Sequence, residues 1–373
     1  MGKNSQTDQV IRFVYVHIPF CLKKCNYCSF FSEPFTKESV NKYVEYLLKE
    51  IKLFDKNFSI KPKTIYFGGG TPSLLSIEHI KKIIAQFDLK AATEITLECN
   101  PASITADFVK ELSSSKVNRI SLGAQSFQEK ELELLSRSHK VDDITNSFKL
   151  FRESGFNNIS LDLIYGLPYQ TKNDLTYSLY KTIDLNPEHI STYCLSLDKK
   201  VLLYDLKNKI SSDEKIAEFY YLIREKLVLN GFDHYEISNF AKKDYYSNHN
   251  YCYWDDSRYL GLGASAAGYI GNIRYQNASK LTEYYNDICK NKIMPNQINL
   301  SKEDHEKEYI FLGLRKSEGL DLTKFNKIFK IDFLKKYQII IQKYKNLLEI
   351  NDKSIKLKIE AYFISNELFS EFM

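Results

Sequence analysis

The segment YVHIPFCLKKCNYCSFF, residues 15–31, joins a strand-like apolar stretch to three closely spaced cysteines. Cys21, Cys25 and Cys28 are separated by three and then by two residues. In parallel βα folds the loops at the carboxyl ends of the strands form the functional face, so three thiols in the first such loop indicate a metal-ligand set. The segment therefore predicts both the start of a βα fold and the place of its cofactor.

Two kinds of metal centre compete for this cysteine cluster. A structural zinc site closes with four ligands, and no second CxxC or histidine pair lies nearby, so zinc would need His17 or a distant residue. Cubane iron–sulfur clusters normally use four thiolates, and three leave one iron open to a further ligand. The spacing favours a [4Fe–4S] cluster with one open iron over zinc.

The composition predicts a protein with a sizeable core and no nucleic-acid footprint. Of the 373 residues 43% are hydrophobic, and the net charge of +5 is spread without a long basic run. The polar start MGKNSQTDQV does not resemble a signal peptide, and no stretch approaches the roughly 18 apolar residues of a spanning helix. We expect no transmembrane segment, a cytoplasmic location, and cysteines that stay reduced.

Short apolar strands alternate with amphipathic helices between residues 11 and 200, which predicts an α/β fold built as a partial, open (β/α)6 barrel. The six predicted strands are residues 13–18, 64–67, 94–98, 119–123, 159–165 and 189–197. The predicted helices between them include residues 37–54, 105–112 and 172–185. We interpret Cys99, Cys194 and Cys289 as small apolar residues in or near the core.

Four segments are predicted along the chain. Residues 1–10 form a flexible amino terminus, and residues 11–200 form the barrel core. Residues 201–300 form an extension with a helix at 213–229, a strand-like FDHYEISNF and a loop-rich aromatic part at 248–275. Residues 301–373 form a smaller, mainly helical region with a hairpin at 347–358, and two interpretations stay open for it: a winged-helix module or a helical cap over the open barrel.

The CxxxCxxC loop after the first strand resembles the signature of the radical S-adenosylmethionine superfamily. The resemblance implies that Cys21, Cys25 and Cys28 hold the cluster and that the amino and carboxylate groups of S-adenosylmethionine chelate the open iron. An electron from the reduced cluster would then cleave the sulfonium to a 5′-deoxyadenosyl radical, which requires a site shielded from water.

Other motifs extend this resemblance, among them FGGGTPSLL at residues 67–75, LECNP at 97–101 and GAQSF at 123–127. The resemblance implies that S-adenosylmethionine contacts come from Tyr15, Tyr27, Gly69, Gly70, Thr71, Glu98, Gln125, Arg137 and Asp162. Taken singly, Tyr27 is explained as well by aromatic packing, Arg137 by a surface charge and Asp162 by a strand-end hydrogen bond.

Together with YVHIPFC, LDLIYGLP and HNYCYW, these motifs resemble one branch of the superfamily over nearly the whole chain: the oxygen-independent coproporphyrinogen III oxidase-like proteins. Two functions compete within this branch. One is oxidative decarboxylation of coproporphyrinogen propionates, and the other is heme binding and delivery to an acceptor protein by heme chaperones. A non-catalytic iron–sulfur protein is a third hypothesis.

Three features favour the heme chaperone. The oxidase type has a further cysteine where this chain has Phe30, and it has a longer amino-terminal extension than the fourteen residues before Tyr15. His249, Asn250, Tyr253 and Trp254 fit the HNxxYW motif of the chaperone type. The resemblance implies that His249 is an axial ligand of heme iron and that an electron donor of the flavodoxin or ferredoxin type serves the cluster. A hydrogen-bonded structural role is the ordinary alternative for His249, and Cys252 is a possible neighbour of the heme.

Overall fold

A computed structural model describes residues 10–372, so most of the predicted flexible segment 1–10 lies outside the described residues. The strands are β1 Ile11–Ile18, β2 Phe20–Cys21, β3 Glu33–Pro34, β4 Ile60–Gly69, β5 Glu94–Cys99, β6 Arg119–Gln125, β7 Ile159–Tyr165, β8 His189–Cys194, β9 Asp233–Glu236, β10 Asn239–Ala241, β11 Tyr259–Leu262, β12 Ala267–Ile270, β13 Ile273–Gln276, β14 Ile298–Asn299, β15 Leu320–Asp321, β16 Leu348–Ile350 and β17 Ser354–Leu357. The helices are α1 Lys37–Asp55, α2 Ile77–Ile84, α3 Ala106–Leu112, α4 Glu129–Leu134, α5 Val141–Glu153, α6 Lys172–Asp184, α7 Asp213–Leu229, α8 Asn248–Trp254, α9 Leu281–Cys289, α10 Lys302–Gly313, α11 Leu322–Phe329, α12 Phe333–Lys336, α13 Gln338–Lys343 and α14 Ser365–Ser370.

Twelve strands form one sheet in the order β14-β13-β12-β11-β1-β4-β5-β6-β7-β8-β10-β9. The seven strands from β11 to β8 are parallel, and antiparallel strands extend the sheet at both edges. Parallel strands need crossover connections, and helices supply them between the strands of the core. The carboxyl ends of the seven parallel strands therefore lie at one edge, where the cysteine loop follows β1.

Helix α1 shows why the sequence folds locally as predicted. Thr36 and Ser39 form a capping box at its start, which satisfies backbone donors of the first turn. Its buried residues recur at helical spacing and pack into the main core: Val40, Tyr43, Val44, Leu47, Ile51 and Phe54. The predicted helix at 37–54 is confirmed, one residue longer than expected.

All six predicted strands are present, but β11 was not predicted. The prediction of a loop-rich segment at 248–275 is wrong, because it contains helix α8 and strands β11, β12 and β13. Strand β11 is short and contains Gly261, whose amide and carbonyl both bond the Tyr275 hydroxyl. A Cβ at Gly261 would lie 1.9 Å from the Ala267 carbonyl oxygen, so only glycine fits this position.

Two cysteine predictions are also wrong. Cys99 ends β5 and is buried as expected, but Cys194 and Cys289 are exposed, because the chain continues along the surface after β8 and after α9. Within residues 10–372 no helix is long and apolar enough to cross a membrane.

The carboxyl-terminal region is built on a second, three-stranded sheet in the order β15-β17-β16. The predicted hairpin is confirmed as the antiparallel pair β16 and β17. Helix α10, strand β15, helices α11 to α13 and then this hairpin follow one another, which is the order of elements in a winged helix.

A buried carboxylate fastens the seventh parallel strand to helix α1. Glu50 accepts hydrogen bonds from the Gly263 amide at 2.7 Å, the Asn277 side chain at 2.6 Å and the Tyr284 hydroxyl at 2.8 Å. Burial raises the pKa of Glu50 to about 7, although these three donors act in the opposite direction. One side chain of helix α1 is thus bonded to three positions within residues 263–284, more than two hundred residues further along the chain.

We expect Glu50→Ala to lower the free energy of unfolding by about 3 kcal/mol or more, because three buried donors lose their acceptor. The matched control is Glu45→Ala on the exposed side of the same helix, which should change stability by less than about 0.5 kcal/mol. Urea unfolding followed by circular dichroism measures both, and equal effects would contradict the assigned role.

The stabilising contribution of Glu50 should also depend on pH. Because the folded-state pKa of Glu50 is raised from 4.5 to about 7, the native protein binds more protons than the unfolded chain between these values. The contribution of Glu50 to stability is therefore present at low pH and declines as the pH rises through about 7. The destabilisation by Glu50→Ala should be larger at pH 5 than at pH 8, and the opposite trend would refute the assignment.

Candidate functional site

The cysteine loop is closed at its base by a two-residue parallel ladder. Strand β2 pairs with β3, and backbone bonds run from the Glu33 amide to the Pro19 carbonyl and from the Phe35 amide to the Cys21 carbonyl. Further along the loop, the Cys28 amide bonds the Cys25 carbonyl at 3.2 Å. The loop is therefore held by backbone contacts, and all three thiols are half-buried.

The three thiols are close enough to influence one another. Burial raises the pKa of the Cys28 thiol, and the charges of Cys25 and Cys21 add to this effect. Within the described residues, however, no three His, Cys, Asp or Glu side chains converge closely enough to hold a single metal ion. In a cubane each thiolate would bind a different iron, so the three thiols need not converge on a single point.

Two side chains donate hydrogen bonds to the cysteine sulfurs. The Thr71 hydroxyl lies 3.6 Å from Cys21 Sγ, and an Arg137 guanidinium nitrogen lies 3.6 Å from Cys25 Sγ. A second nitrogen of Arg137 donates to the Gly123 carbonyl at 2.9 Å. Donors to a thiolate stabilise its charge, so these contacts fit a bound metal cluster.

The glycine-rich loop after β4 lies against the start of the cysteine loop. The Gly70 amide donates to the Ile18 carbonyl at 2.8 Å, and a Cβ at Gly70 would lie 2.7 Å from the Phe20 carbonyl oxygen. Gly69 has a φ of +112°, and a Cβ there would lie 2.6 Å from the His17 ring. Glycine is therefore required at both positions, which brings this backbone beside the cysteines.

Glu98 links the glycine loop to the neighbouring strand. Its carboxylate accepts from the Tyr66 hydroxyl at 2.9 Å and from the Gly69 amide at 3.2 Å. Burial raises the pKa of Glu98 to about 7, and Tyr66 and Gly69 partly oppose that rise. Beside it, the Tyr15 hydroxyl bonds Nδ1 of His17 at 3.0 Å. Glu98 thus already positions the loop, and each oxygen can accept one more bond.

The remaining predicted side chains lie along β6 and β7 and beside the loop. Gln125 is the last residue of β6, as the sequence predicted for the end of this strand. Its φ of +66° lies in the left-handed region. Asp162 is held by hydroxyls of Ser121 and Ser160 and has a pKa raised by burial. Tyr27 lies against the Arg137 guanidinium, so the guanidinium contacts both the cysteine loop and strand β6.

The HNxxYW motif forms helix α8, and its histidine points into the sheet. His249 is 1% exposed, its Nδ1 lies 2.7 Å from the Thr64 hydroxyl, and its Nε2 lies 2.9 Å from the Tyr253 hydroxyl. Its ring stacks on Tyr66, and burial lowers its pKa to about 3. His249 is therefore a neutral interior residue with both nitrogens occupied.

Sequence reasoning missed Arg119 and Glu94. Arg119 is 1% exposed, and its Nε and one terminal nitrogen have no hydrogen-bond partner among residues 10–372. Glu94 accepts from the backbone amides of Asn248 and His249 and so anchors the start of helix α8. Glu94 is the first residue of β5, and Arg119 is the first residue of β6. A charged residue at the start of a mostly apolar strand is the signal that could have identified both.

Comparison with known proteins gives a family match and several curated relatives. The Radical SAM superfamily pattern matches residues 15–179. Heme chaperone HemW of Lactococcus lactis subsp. lactis (strain IL1403) is 35% identical over 96% of this chain and 96% of its own length. Heme chaperone HemW of Bacillus subtilis (strain 168) is 35% identical over 97% of this chain and 99% of its own length.

A solved structure shares the fold at lower identity. Coproporphyrinogen III oxidase (HemN) from Escherichia coli, described as a radical SAM enzyme, superposes with a TM-score of 0.88 over 99% of this chain and 91% of its own, at 22% identity. At this identity the likeness establishes the fold and no more.

We expect Cys25→Ala to lose most of the iron and sulfide that the wild-type chain takes up on anaerobic reconstitution, because two thiolates cannot hold a cubane against solvent. Cys289→Ala removes an exposed thiol from helix α9 and is the matched control. Iron and acid-labile sulfide analysis measures both. Retention of metal by Cys25→Ala, or stoichiometric zinc in the wild-type protein, would refute the cluster assignment.

Proposed function

Because the chain belongs to the HemW family of radical S-adenosylmethionine proteins, we propose that it is a heme chaperone, which binds heme and transfers it to an acceptor protein. The observation that carries this proposal is the 35% identity to curated heme chaperones over nearly the full length of both chains. The shared length includes helix α8 with its HNxxYW motif.

We propose that Cys21, Cys25 and Cys28 hold a [4Fe–4S] cluster. The half-buried thiols, with Thr71 and Arg137 donating to two of them, are the support for this assignment. The chemistry that the cluster supplies when bound is one-electron reduction of S-adenosylmethionine. Among the residues of the chain, Arg137 balances thiolate charge and the ladder of β2 and β3 holds the loop.

The proposed S-adenosylmethionine contacts divide by chemistry. Gly69, Gly70 and Thr71 bring backbone polar groups close to the cysteines, because a side chain at either glycine would collide with neighbouring residues. Three neighbouring strands each supply one polar side chain: Glu98 from β5, Gln125 from β6 and Asp162 from β7. The aromatic rings of Tyr15 and Tyr27 flank this edge and exclude water.

His249 stays a predicted axial ligand, with a condition that the geometry sets. An imidazole binds iron through a free ring nitrogen, and both nitrogens of His249 are hydrogen-bonded. Iron ligation by His249 therefore requires its ring to leave Thr64 or Tyr253. Without that change of conformation, heme binding by this chain depends on other residues.

The second candidate is coproporphyrinogen decarboxylation, the activity named for a solved structure that shares the fold of this chain. Phe30 opposes it, since this side chain is 65% exposed at the position where the oxidase type has a cysteine. The third candidate is an iron–sulfur protein without radical chemistry, which would yield no 5′-deoxyadenosine under reducing conditions.

We further propose a reducing, cytoplasmic setting and a one-electron donor of the flavodoxin or ferredoxin type. The support is chemical: free thiols and a low-potential cluster persist only where the surroundings are reducing. The acceptor of heme is a protein that binds heme more tightly than this chain.

The proposal predicts hemin binding at one equivalent per chain and its transfer to an apoprotein. Hemin titration followed at the Soret band measures binding, and mixing the complex with excess apomyoglobin measures transfer. In parallel, anaerobic incubation with coproporphyrinogen III, S-adenosylmethionine and a reductant should give no protoporphyrinogen. Formation of that product, or failure to bind hemin, would overturn the heme-chaperone assignment.

A further inference from the structure

Arg119 places a positive charge in the interior of the sheet. It is the first residue of β6, and its side chain is 1% exposed. Within residues 10–372 its Nε and Nη1 have no hydrogen-bond partner, and the guanidinium forms no ion pair with a carboxylate. A buried charge is costly unless other groups compensate it, and here the compensation has to come from charges beyond direct contact.

The strand register places Arg119 on the same face as two buried carboxylates. Arg119 and Ser121 share one face of β6, because successive side chains of a strand alternate. Ser121 is paired in register with Glu98 of β5, and its hydroxyl donates to Asp162 of β7 at 3.0 Å. Glu98 and Asp162 therefore face the same interior as Arg119, one from each neighbouring strand.

The charge of Arg119 acts on both carboxylates. Burial raises the pKa of Glu98 to about 7, and the charge of Asp162 adds to this rise. Burial also raises the pKa of Asp162, and the Arg119 guanidinium opposes the rise in the pKa of both groups. Because a guanidinium is not deprotonated in proteins, this opposing charge is present at every pH at which the chain is folded.

The rings that face the same interior are uncharged near neutral pH, because burial raises the pKa values of the tyrosines and lowers those of the histidines. They are Tyr15 and His17 on β1, Tyr66 on β4, His189 and Tyr193 on β8, Tyr235 on β9, and His249 and Tyr253 on α8.

A third buried carboxylate has a different counter-charge. Burial raises the pKa of Glu236 on β9 to about 7, and the guanidinium that opposes this rise belongs to Arg315. Arg119 thus acts on Glu98 and Asp162, the two carboxylates nearest to the proposed S-adenosylmethionine site.

We propose that Arg119 is a positioning residue for S-adenosylmethionine: its charge favours the ionised forms of Glu98 and Asp162, so that both accept hydrogen bonds from the cofactor. The inference rests on the S-adenosylmethionine site of the proposed function. The cofactor has a net positive charge and ribose hydroxyl donors, and an ionised carboxylate is a stronger acceptor than a neutral acid. Two ionised carboxylates and one guanidinium leave one negative charge in the interior, which complements this cation.

The charge requirement is tested by Arg119→Met, with Arg119→Lys as the conservative variant. Equilibrium dialysis of the reconstituted proteins under anaerobic conditions measures their affinity for S-adenosylmethionine between pH 6 and pH 9. The affinity should fall at low pH in every protein, because the carboxylates become protonated. In Arg119→Met the midpoint of this fall should move up by about one pH unit, so that binding is about fivefold weaker at pH 7 and nearly equal at pH 9. Arg119→Lys should keep the wild-type midpoint.

The matched control is Thr96→Val. Thr96 is paired in register with Arg119, is fully buried, and has a hydroxyl without a hydrogen-bond partner among residues 10–372. The substitution removes a polar group at the same depth of the sheet and leaves the charge unchanged. The pH midpoint of S-adenosylmethionine binding should therefore stay that of the wild-type chain.

A second measurement needs no cofactor. In Arg119→Met the folded-state pKa values of Glu98 and Asp162 should rise further above their unfolded values, so stability declines over a wider range as the pH rises. Urea unfolding should therefore show a larger loss of stability relative to wild type at pH 8 than at pH 5. If Arg119→Met is not folded by circular dichroism, Arg119→Gln keeps polar atoms at this position and carries the same expectations.

The outcomes separate this inference from the proposed function. If the wild-type chain binds no S-adenosylmethionine at any pH, the proposed cofactor site and this inference are both overturned. If it binds the cofactor but Arg119→Met keeps the wild-type midpoint, or binds more weakly by the same factor at every pH, the role of Arg119 is wrong and the cofactor site stands. Equal losses of stability at pH 5 and pH 8 would also contradict it. Hemin titration tests the heme-chaperone function separately, so its failure leaves the test of Arg119 valid.

Discussion

The arrangement of this molecule depends on the parallel pairing of β1 with a strand on each side. On one side β4 brings the glycine-rich loop against the cysteine loop, with Gly70 bonded to Ile18 at the end of β1. On the other side β11 pairs with residues 13–16, and Glu50 fastens the turn that follows it. A one-residue slip of β1 would reverse its inward and outward side chains and separate both loops.

Sequence predicted the repeating part of the fold well, since the strands of the core are apolar and regularly separated by amphipathic helices. It missed β11, because four residues containing Gly261 show no periodicity and the strand is specified by partners elsewhere in the chain. It also could not place His249, whose surroundings are set by Thr64, 185 positions away. Spacing identified the cysteines, but only the tertiary structure revealed that Thr71 and Arg137 donate to two of their sulfurs.

The two ends of the sheet differ in chemistry. At the carboxyl end, thiols, glycine backbone and a buried carboxylate meet in a confined space, as expected where parallel strands end. At the amino end, Arg12, Lys61, Lys63 and Lys90 line a cleft beside helix α8. Between them lies the interior of the sheet, where the rings of Tyr66 and His249 stack on each other. Communication between the two ends would have to pass through this packed layer.

The short ladder of β2 and β3 has a consequence for how the metal centre is assembled. Its hydrogen bonds use backbone atoms alone, so the ordering cost of the loop is met when the chain folds and every thiol stays available. A cluster bound as proposed by Cys21, Cys25 and Cys28 would then meet a loop whose backbone is already ordered. In this respect the chain is unlike a zinc finger, in which the incoming ion must organise the polypeptide itself.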